Sequence, residues 1–374
     1  MERNLDSELS KEDLREICFG LLREWWLAAT QALVDEAGTE AALKHLKPYF
    51  INTGVAGAHN LQSLLGVSAE ELLRLEIIHH LWHMMTGGRQ PIYRADDGSI
   101  IYQTVDCATG GICREGCMSF CDFMANAYYG ELSPELELIS HRSLAWGDPM
   151  CQGLLSRHGQ EAKVAATDEF LVPEDKLPEP PEEEFREYMA LSVLGEMWSN
   201  ATRALVDFAG PERAYDRLRF HMRHSGLSFG IRMSDRFGAR ERGLDSILEM
   251  IELVQILHHR KATCVRGEGG AEGKVNECPF SSSSPEICAQ YEAFCNGICE
   301  AIAPDYEFAY HRMMTKGEGT CSWAVKRRVQ EGARATKQST SDQLDASKIL
   351  RRRLAAGEIS KEEYRELRDL LLEK

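Results

Sequence analysis

The sequence predicts an α+β fold: one module of several helices plus a small antiparallel sheet, present twice, with a helical tail at the C-terminal end. Three observations predict it. The chain repeats itself at a fixed shift, apolar residues recur at helical spacing through long segments, and short alternating runs bounded by turn residues follow those segments.

The repeat carries the most weight. Displaced by 172 residues, Leu22 to Gly66 falls on Leu194 to Gly238 without a gap, and sixteen of those 45 positions are identical. They include Glu24/Glu196, Trp26/Trp198, Thr30/Thr202, Gly54/Gly226 and the run Ala32-Leu33-Val34-Asp35 against Ala204-Leu205-Val206-Asp207. Further on the copies drift but keep their landmarks in order. His79-His80 answers His258-His259, Asp106-Cys107 answers Glu277-Cys278, and Pro134 with His141 answers Pro304 with His311. Cys151 and Cys321 each lie ten residues after that histidine. The pair Cys117/Cys121 is matched with Cys295/Cys299.

These landmarks divide the chain into a first cysteine-rich copy (11–160), an acidic Pro-containing linker (161–184), a second copy (185–331), a polar linker (332–342) and a short C-terminal domain (343–374). Within the first copy, Leu14, Ile17, Leu21, Leu22, Trp25, Ala29 and Leu33 mark a helix over 11–36 that Gly38 stops. Residues 39–50 and 68–85 read as further helices, Ser68 being the N-cap of the latter. Pro91 to Val105 reads as a hairpin turning at Asp97-Gly98, followed by a helix around 112–129 and a strand over 135–143. Trp26 and Trp198 sit on apolar helix faces and belong to the core.

Composition limits the function. Forty-three Lys and Arg stand against 59 Asp and Glu, a net charge of −16, which argues against nucleic acid because phosphate binding needs an electropositive face. The runs Lys326-Arg327-Arg328 and Arg351-Arg352-Arg353 read as solvated helix faces. No apolar stretch reaches the roughly 18 residues of a membrane helix, and the polar N-terminus is unlike a secretory signal. A cytoplasmic protein is expected, and twelve cysteines in a reducing compartment point to metal binding or catalysis more than to disulfides.

On a helix, residues i and i+4 hold their Cβ atoms about 5–6 Å apart, too far for the roughly 3.5–4.5 Å of a disulfide but suitable for holding an ion or cluster between two thiolates. The expected ligand sets are Cys107, Cys117, Cys121 and Cys151, then Cys278, Cys295, Cys299 and Cys321, with Cys113 and Cys288 as spare candidates. A 4Fe-4S cluster is the first choice of cofactor and zinc the alternative, since zinc sites usually show close cysteine pairs in both halves of the site. Cys18 and Cys264 are left over. His141 and His311 are candidates for hydrogen-bonding a thiolate or acting as acid or base. His79, His80, His258 and His259 read as core or surface residues, and His83 has no partner in the second copy, where Ala262 stands.

Glu277-Cys278-Pro279-Phe280, the later Ile302-Ala303-Pro304 and the closing Gly317-Glu318-Gly319-Thr320-Cys321-Ser322-Trp323, with Gly147-Asp148-Pro149-Met150-Cys151 in the first copy, resemble the L-2-amino-thiazoline-4-carboxylic acid hydrolase-like family. A more distant likeness is to 4-vinyl reductase-type domains. The first copy departs from the pattern with Ala108 and with Gln152-Gly153, so if one copy has lost activity it is expected to be the first. Ile349 to Leu371 resembles the short C-terminal domain found at the ends of many bacterial proteins, with Ser360 and Glu363 as a capping box. That resemblance implies oligomerisation or docking.

Three functions follow as expectations. The first is a metal- or iron–sulfur-binding protein with one cysteine-ligated centre per copy, serving electron transfer or small-molecule chemistry with a small molecule or a redox protein as partner. The second, implied by the family resemblance, is a cysteine-dependent hydrolase of a small sulfur heterocycle with His311 as base. The third is a small-molecule-binding or sensory module with structural cysteines. No glycine-rich phosphate loop or nucleophile elbow is present.

Overall fold

In the computed structural model, residues 10–66, 68, 92–94, 100–104, 114–144, 147–159, 183–237, 243–257, 261–267, 269–278, 280–281 and 285–328 are described. Both linkers, the C-terminal domain, Cys107, Cys113, His79, His80, His83, His258, His259 and the helix expected at 68–85 fall outside them, Ser68 and residues 183–184 of the first linker excepted.

The chain is α+β. Helix α1 (Lys11–Ala37) starts at a capping box in which Ser10 and Asp13 satisfy one another's backbone N–H groups. Only Gly38, at φ 77°, separates it from α2 (Thr39–Leu65). Gly210, at φ 78°, stands in the same way between α4 (Glu183–Ala209) and α5 (Pro211–Phe237). A side chain at this left-handed position would strain the backbone, so glycine lets each helix pair turn on one residue. Helix α2 runs fifteen residues past the expected end at 50, carrying Pro48 inside it.

Two four-stranded antiparallel sheets follow the helix pairs. The first has β1 (Ile92–Arg94), β2 (Ile100–Thr104), β3 (Leu136–Arg142) and β4 (Cys151–Arg157) in the order β1-β2-β4-β3. The second has β5 (Lys261–Gly267), β6 (Gly270–Glu277), β7 (Tyr306–Arg312) and β8 (Cys321–Arg327) in the order β5-β6-β8-β7. Each sheet is interrupted between its hairpins by a helix. That helix is α3 (Arg114–Leu132) in the first half, whose stretch Ser119–Ala125 is π-helical, and α7 (Pro285–Ile302) in the second. Helix α6 (Leu244–Leu257) precedes β5.

Corresponding positions make corresponding contacts. Asn126 and Asn296 each accept the N–H of a strand residue, Leu138 or Phe308, through the side-chain oxygen. A Cβ on Gly54 would collide with the carbonyl oxygen of Met124, and one on Gly226 with that of Phe294. At one cross-strand position the halves exchange sizes. Tyr102 faces Gly153 in the first sheet, whereas Gly273 faces Trp323 in the second, and the Trp323 ring lies over the space a Cβ on Gly273 would take.

One apolar core runs through both halves. Trp25 of α1 meets Trp198 of α4 at 4.8 Å and Phe294 of α7 at 4.9 Å between ring centroids. Trp26 and Trp198 are both buried, as the helix pattern implies. Around this core the polar contacts are reciprocal. Thr53 donates to Glu196 at 3.3 Å, and Ser225 donates to Glu24 at 3.1 Å. Tyr49 bonds Asp207, and His221 lies 3.3 Å from Asp35. In each case residue i of one half meets residue j of the other and the equivalent pair repeats with the halves exchanged, which is the signature of an isologous interface. Arg232 and Arg236 of α5 add ion pairs to Glu24 at 2.7 Å and Asp13 at 2.5 Å. Among the described residues no helix is long and apolar enough to cross a membrane.

Gly226→Ala must push α5 off the α7 backbone and is expected to cost about 1–3 kcal/mol or more, read as a lowered denaturant midpoint. A pH-dependent effect is expected at Glu196, whose carboxyl is held above the ordinary glutamate range by burial, with the Thr53 hydroxyl and Arg203 pulling the other way. A raised folded-state pKa gives stability that is complete below the unfolded value and is lost as pH rises through the folded one. Glu196→Gln, which keeps an acceptor for Thr53, should therefore raise the urea midpoint at pH 7 and not at pH 4.

Candidate functional site

The cysteines of the two halves correspond differently from the sequence match. Cys117 and Cys288 are each the fourth residue of their helix, counted from Arg114 and Pro285. Cys299 lies three residues before the end of α7 at Ile302, while Cys121 lies eleven before the end of α3 at Leu132. The shared asparagines fix the alignment. From Asn126 and from Asn296 the helix runs six residues to its end in both halves, so Cys295 and Cys299 stand where the first half has Ala125 and Tyr129. Between cysteine and asparagine the first half has one residue more, and the π segment Ser119–Ala125 absorbs it. By place in the fold, Cys288, the spare candidate, corresponds to Cys117, and Cys295 and Cys299 do not correspond to the pair Cys117/Cys121.

The other cysteines keep their equivalence. Cys151 opens β4 opposite Thr104, and Cys321 opens β8 opposite Val275. Cys107 and Cys278 lie three residues beyond those partners in sequence. Each half therefore carries one cysteine after the second strand, one in the first turn of the helix and one at the start of the last strand.

The closing Gly-Asp/Glu-x-x-Cys motif builds the turn before that last strand. Gly147 and Gly317 sit at φ 90° and 83°. The acid caps the turn from below, Asp148 accepting the N–H of Ser143 at 2.8 Å and Glu318 that of Met313 at 2.5 Å. The cysteine sulfur accepts the next N–H, Cys151 from Leu144 at 3.3 Å and Cys321 from Met314 at 3.2 Å. The adjoining Thr315 hydroxyl donates to the sulfur of Cys288 at 3.2 Å, so the Cys288 and Cys321 sulfurs are held by consecutive residues of one turn. Hydrogen bonds donated to sulfur favour its anionic form.

The remaining thiols are placed otherwise. Cys295 and Cys299 are fully buried in the core, and burial pushes the Cys299 thiol up to about 12. Cys18 donates to the carbonyl of Leu257 at 2.8 Å, and burial raises its pKa strongly. Cys121 packs against the core from a partly exposed position. Among the described residues no group of three or more His, Cys, Asp or Glu side chains is gathered as a metal ion would need.

His141 and His311 occupy the same irregularity. The pairing of β3 with β4 slips between Ser140 and Arg142, and that of β7 with β8 between Tyr310 and Arg312, leaving each histidine as the extra residue of a bulge. His311 is exposed, whereas Cys321 is buried with Trp323 and Val325 against the core. The described geometry does not join them into a thiol–imidazole pair. Asp122 and Glu292, which the sequence reading missed, hold the edge strands: Asp122 accepts from Ser140 at 2.6 Å and is raised by burial, and Glu292 accepts the N–H of Tyr310 at 3.0 Å. The helical phase of these acids relative to Asn126 and Asn296 was the signal for them.

Comparison with protein-family models, with curated proteins and with solved structures gives no match.

Replacing the turn-capping sulfur tests the local architecture. Cys321→Val leaves the Met314 N–H without its acceptor inside a partly buried turn and should cost about 1–3 kcal/mol, read by chemical denaturation. Cys321→Ser, which keeps an acceptor, should cost less.

Proposed function

We propose that this chain, descended from two copies of one module, binds a thiolate-ligated metal or iron–sulfur centre in each half. The ligand sets begin with Cys288 and Cys321 in the second half and Cys117 and Cys151 in the first, with Cys278 and Cys107 as third members. The observation that carries the reading is the paired arrangement of Cys288 and Cys321, both sulfurs receiving hydrogen bonds from Met314 and Thr315, with the Leu144–Cys151 contact repeating in the first half. Hydrogen bonds of this kind are among the levers that tune metal–thiolate and cluster sites. Cysteines retained in the same three places of two diverged halves fit a common ligand better than three separate packing roles. Metal binding also organises its own ligands, because its free energy is coupled to folding. When bound, such a centre would supply electron transfer or Lewis-acid chemistry on a small molecule.

The hydrolase reading is less favoured because Cys321 is buried while His311 is exposed on its bulge.

Protein purified without oxygen is expected to contain iron with sulfide, or zinc, at up to two centres per chain. Cys288→Ser should remove about half of the metal, as should Cys117→Ser, while Cys299→Ser should leave the content unchanged. Folded, metal-free protein that takes up neither metal on reconstitution would end the proposal. Loss of metal in Cys299→Ser with retention in Cys288→Ser would return the ligand set to the helix pair.

A further inference from the structure

We infer that Cys288 and Cys321 are a redox pair that a hydroperoxide joins into a reversible disulfide, and that this switch belongs to the second half alone. The two thiols come from distant points of the chain, Cys288 in the first turn of α7 and Cys321 at the start of β8. One short 3-10 turn, Met314–Lys316, fastens both. The Met314 N–H reaches the Cys321 sulfur at 3.2 Å, and the Thr315 hydroxyl reaches the Cys288 sulfur at 3.2 Å. The donors belong to adjacent residues, whose Cα atoms lie about 3.8 Å apart, so the turn gathers the two sulfurs at one place in the fold. A hydrogen bond donated to sulfur favours the thiolate that attacks. The start of an 18-residue helix favours it further at Cys288. The first half differs by sequence. Counted back from the closing cysteine, Ala145 stands where the second half has Thr315, and alanine has no hydroxyl to give to Cys117.

The chemistry balances with one hydroperoxide. The Cys288 thiolate attacks a peroxide oxygen and the O–O bond breaks. The sulfur becomes a sulfenic acid, while the leaving oxygen takes a proton as water or alcohol. Cys321 then attacks that sulfur, forming the S–S bond and releasing the hydroxyl, with the Cys321 proton, as water. The two thiols lose two hydrogens in all, and the peroxide is reduced by two electrons. Both sulfurs are buried, so the oxidant must be small: hydrogen peroxide suits the site and glutathione disulfide does not. The bridge and a metal held by these sulfurs, as proposed above, exclude each other, but the bridge itself needs no metal.

The test uses the full chain, stripped of metal by a chelator and freed of reductant. After stoichiometric hydrogen peroxide, the remaining thiols are alkylated in denaturant and the digest is read by mass spectrometry. The peptides of Cys288 and Cys321 should appear joined, lighter than their sum by two hydrogens, and dithiothreitol should part them. Thr315→Ala, which copies the first half, should slow the joining roughly two- to tenfold, the worth of one hydrogen bond. Glutathione disulfide should leave both thiols free. Zinc added before the peroxide should protect them, whereas joining that ignores zinc counts against the metal site and leaves the redox pair standing. The inference is overturned if both cysteines are alkylated after peroxide, if either pairs with another cysteine instead, or if Cys117 and Cys151 join as readily.

Discussion

One aromatic cluster draws on both halves of this chain. Trp25 leaves α1 to pack against Trp198, Tyr291 and Phe294, all of the opposite half, at centroid distances of 4.8–6.0 Å. The buried surface of aromatic side chains is a large stabilising term for such helices, and for Trp25 it is obtained where the halves meet. The polar shell follows from that meeting. Glu24 and Glu196 are brought to a partly dry boundary, and each finds a hydroxyl from across it. The second-half thiol site is tied to the same junction: Trp198 donates to Gln290 at 2.7 Å, and Gln290 lies two residues after Cys288 on α7.

The halves differ where that tie is made. Gln290 also reaches Thr202, so the Trp198 indole N–H is satisfied inside a closed network. In the first half Phe120 packs 6.1 Å from Trp26, on a helix that carries the extra π residue. A buried polar network specifies a geometry more narrowly than apolar packing does. Hydrogen bonds close around Gln290 on α7, whereas the corresponding stretch of α3 is π-helical.

Much of the fold was legible because its signals are local. Alternation and the Asp97-Gly98 turn residues announced the first hairpin, and Gly38 announced the break between helices. The extension of α2 through Pro48, Gly54 and Gly57 was hidden, because those residues ordinarily argue against a helix. Tertiary contact overrides that tendency: Gly54 is where α2 runs against the carbonyl of Met124. The cysteine pairing went astray for a similar reason. Spacing of four recurs by accident on any helix, and only the contacts of Asn126 and Asn296 with their strands give the register. The glycine, acid and cysteine of Gly-Asp/Glu-x-x-Cys, which carry the family likeness in the sequence, also have mechanical tasks in the turn.

The cross-strand exchange of Tyr102/Gly153 for Gly273/Trp323 bears on how this protein can change. Only the second sheet fills this layer with a ring: a Cβ on Gly273 would meet atoms of the Trp323 indole, whereas one on Gly153 would meet only a methyl of Leu138 at 3.3 Å, and Tyr102 is engaged with Tyr129. A side chain at 273 must displace an indole, while one at 153 needs a single methyl group to give way. The same cross-strand position is therefore closed to substitution in one sheet and open to small residues in the other.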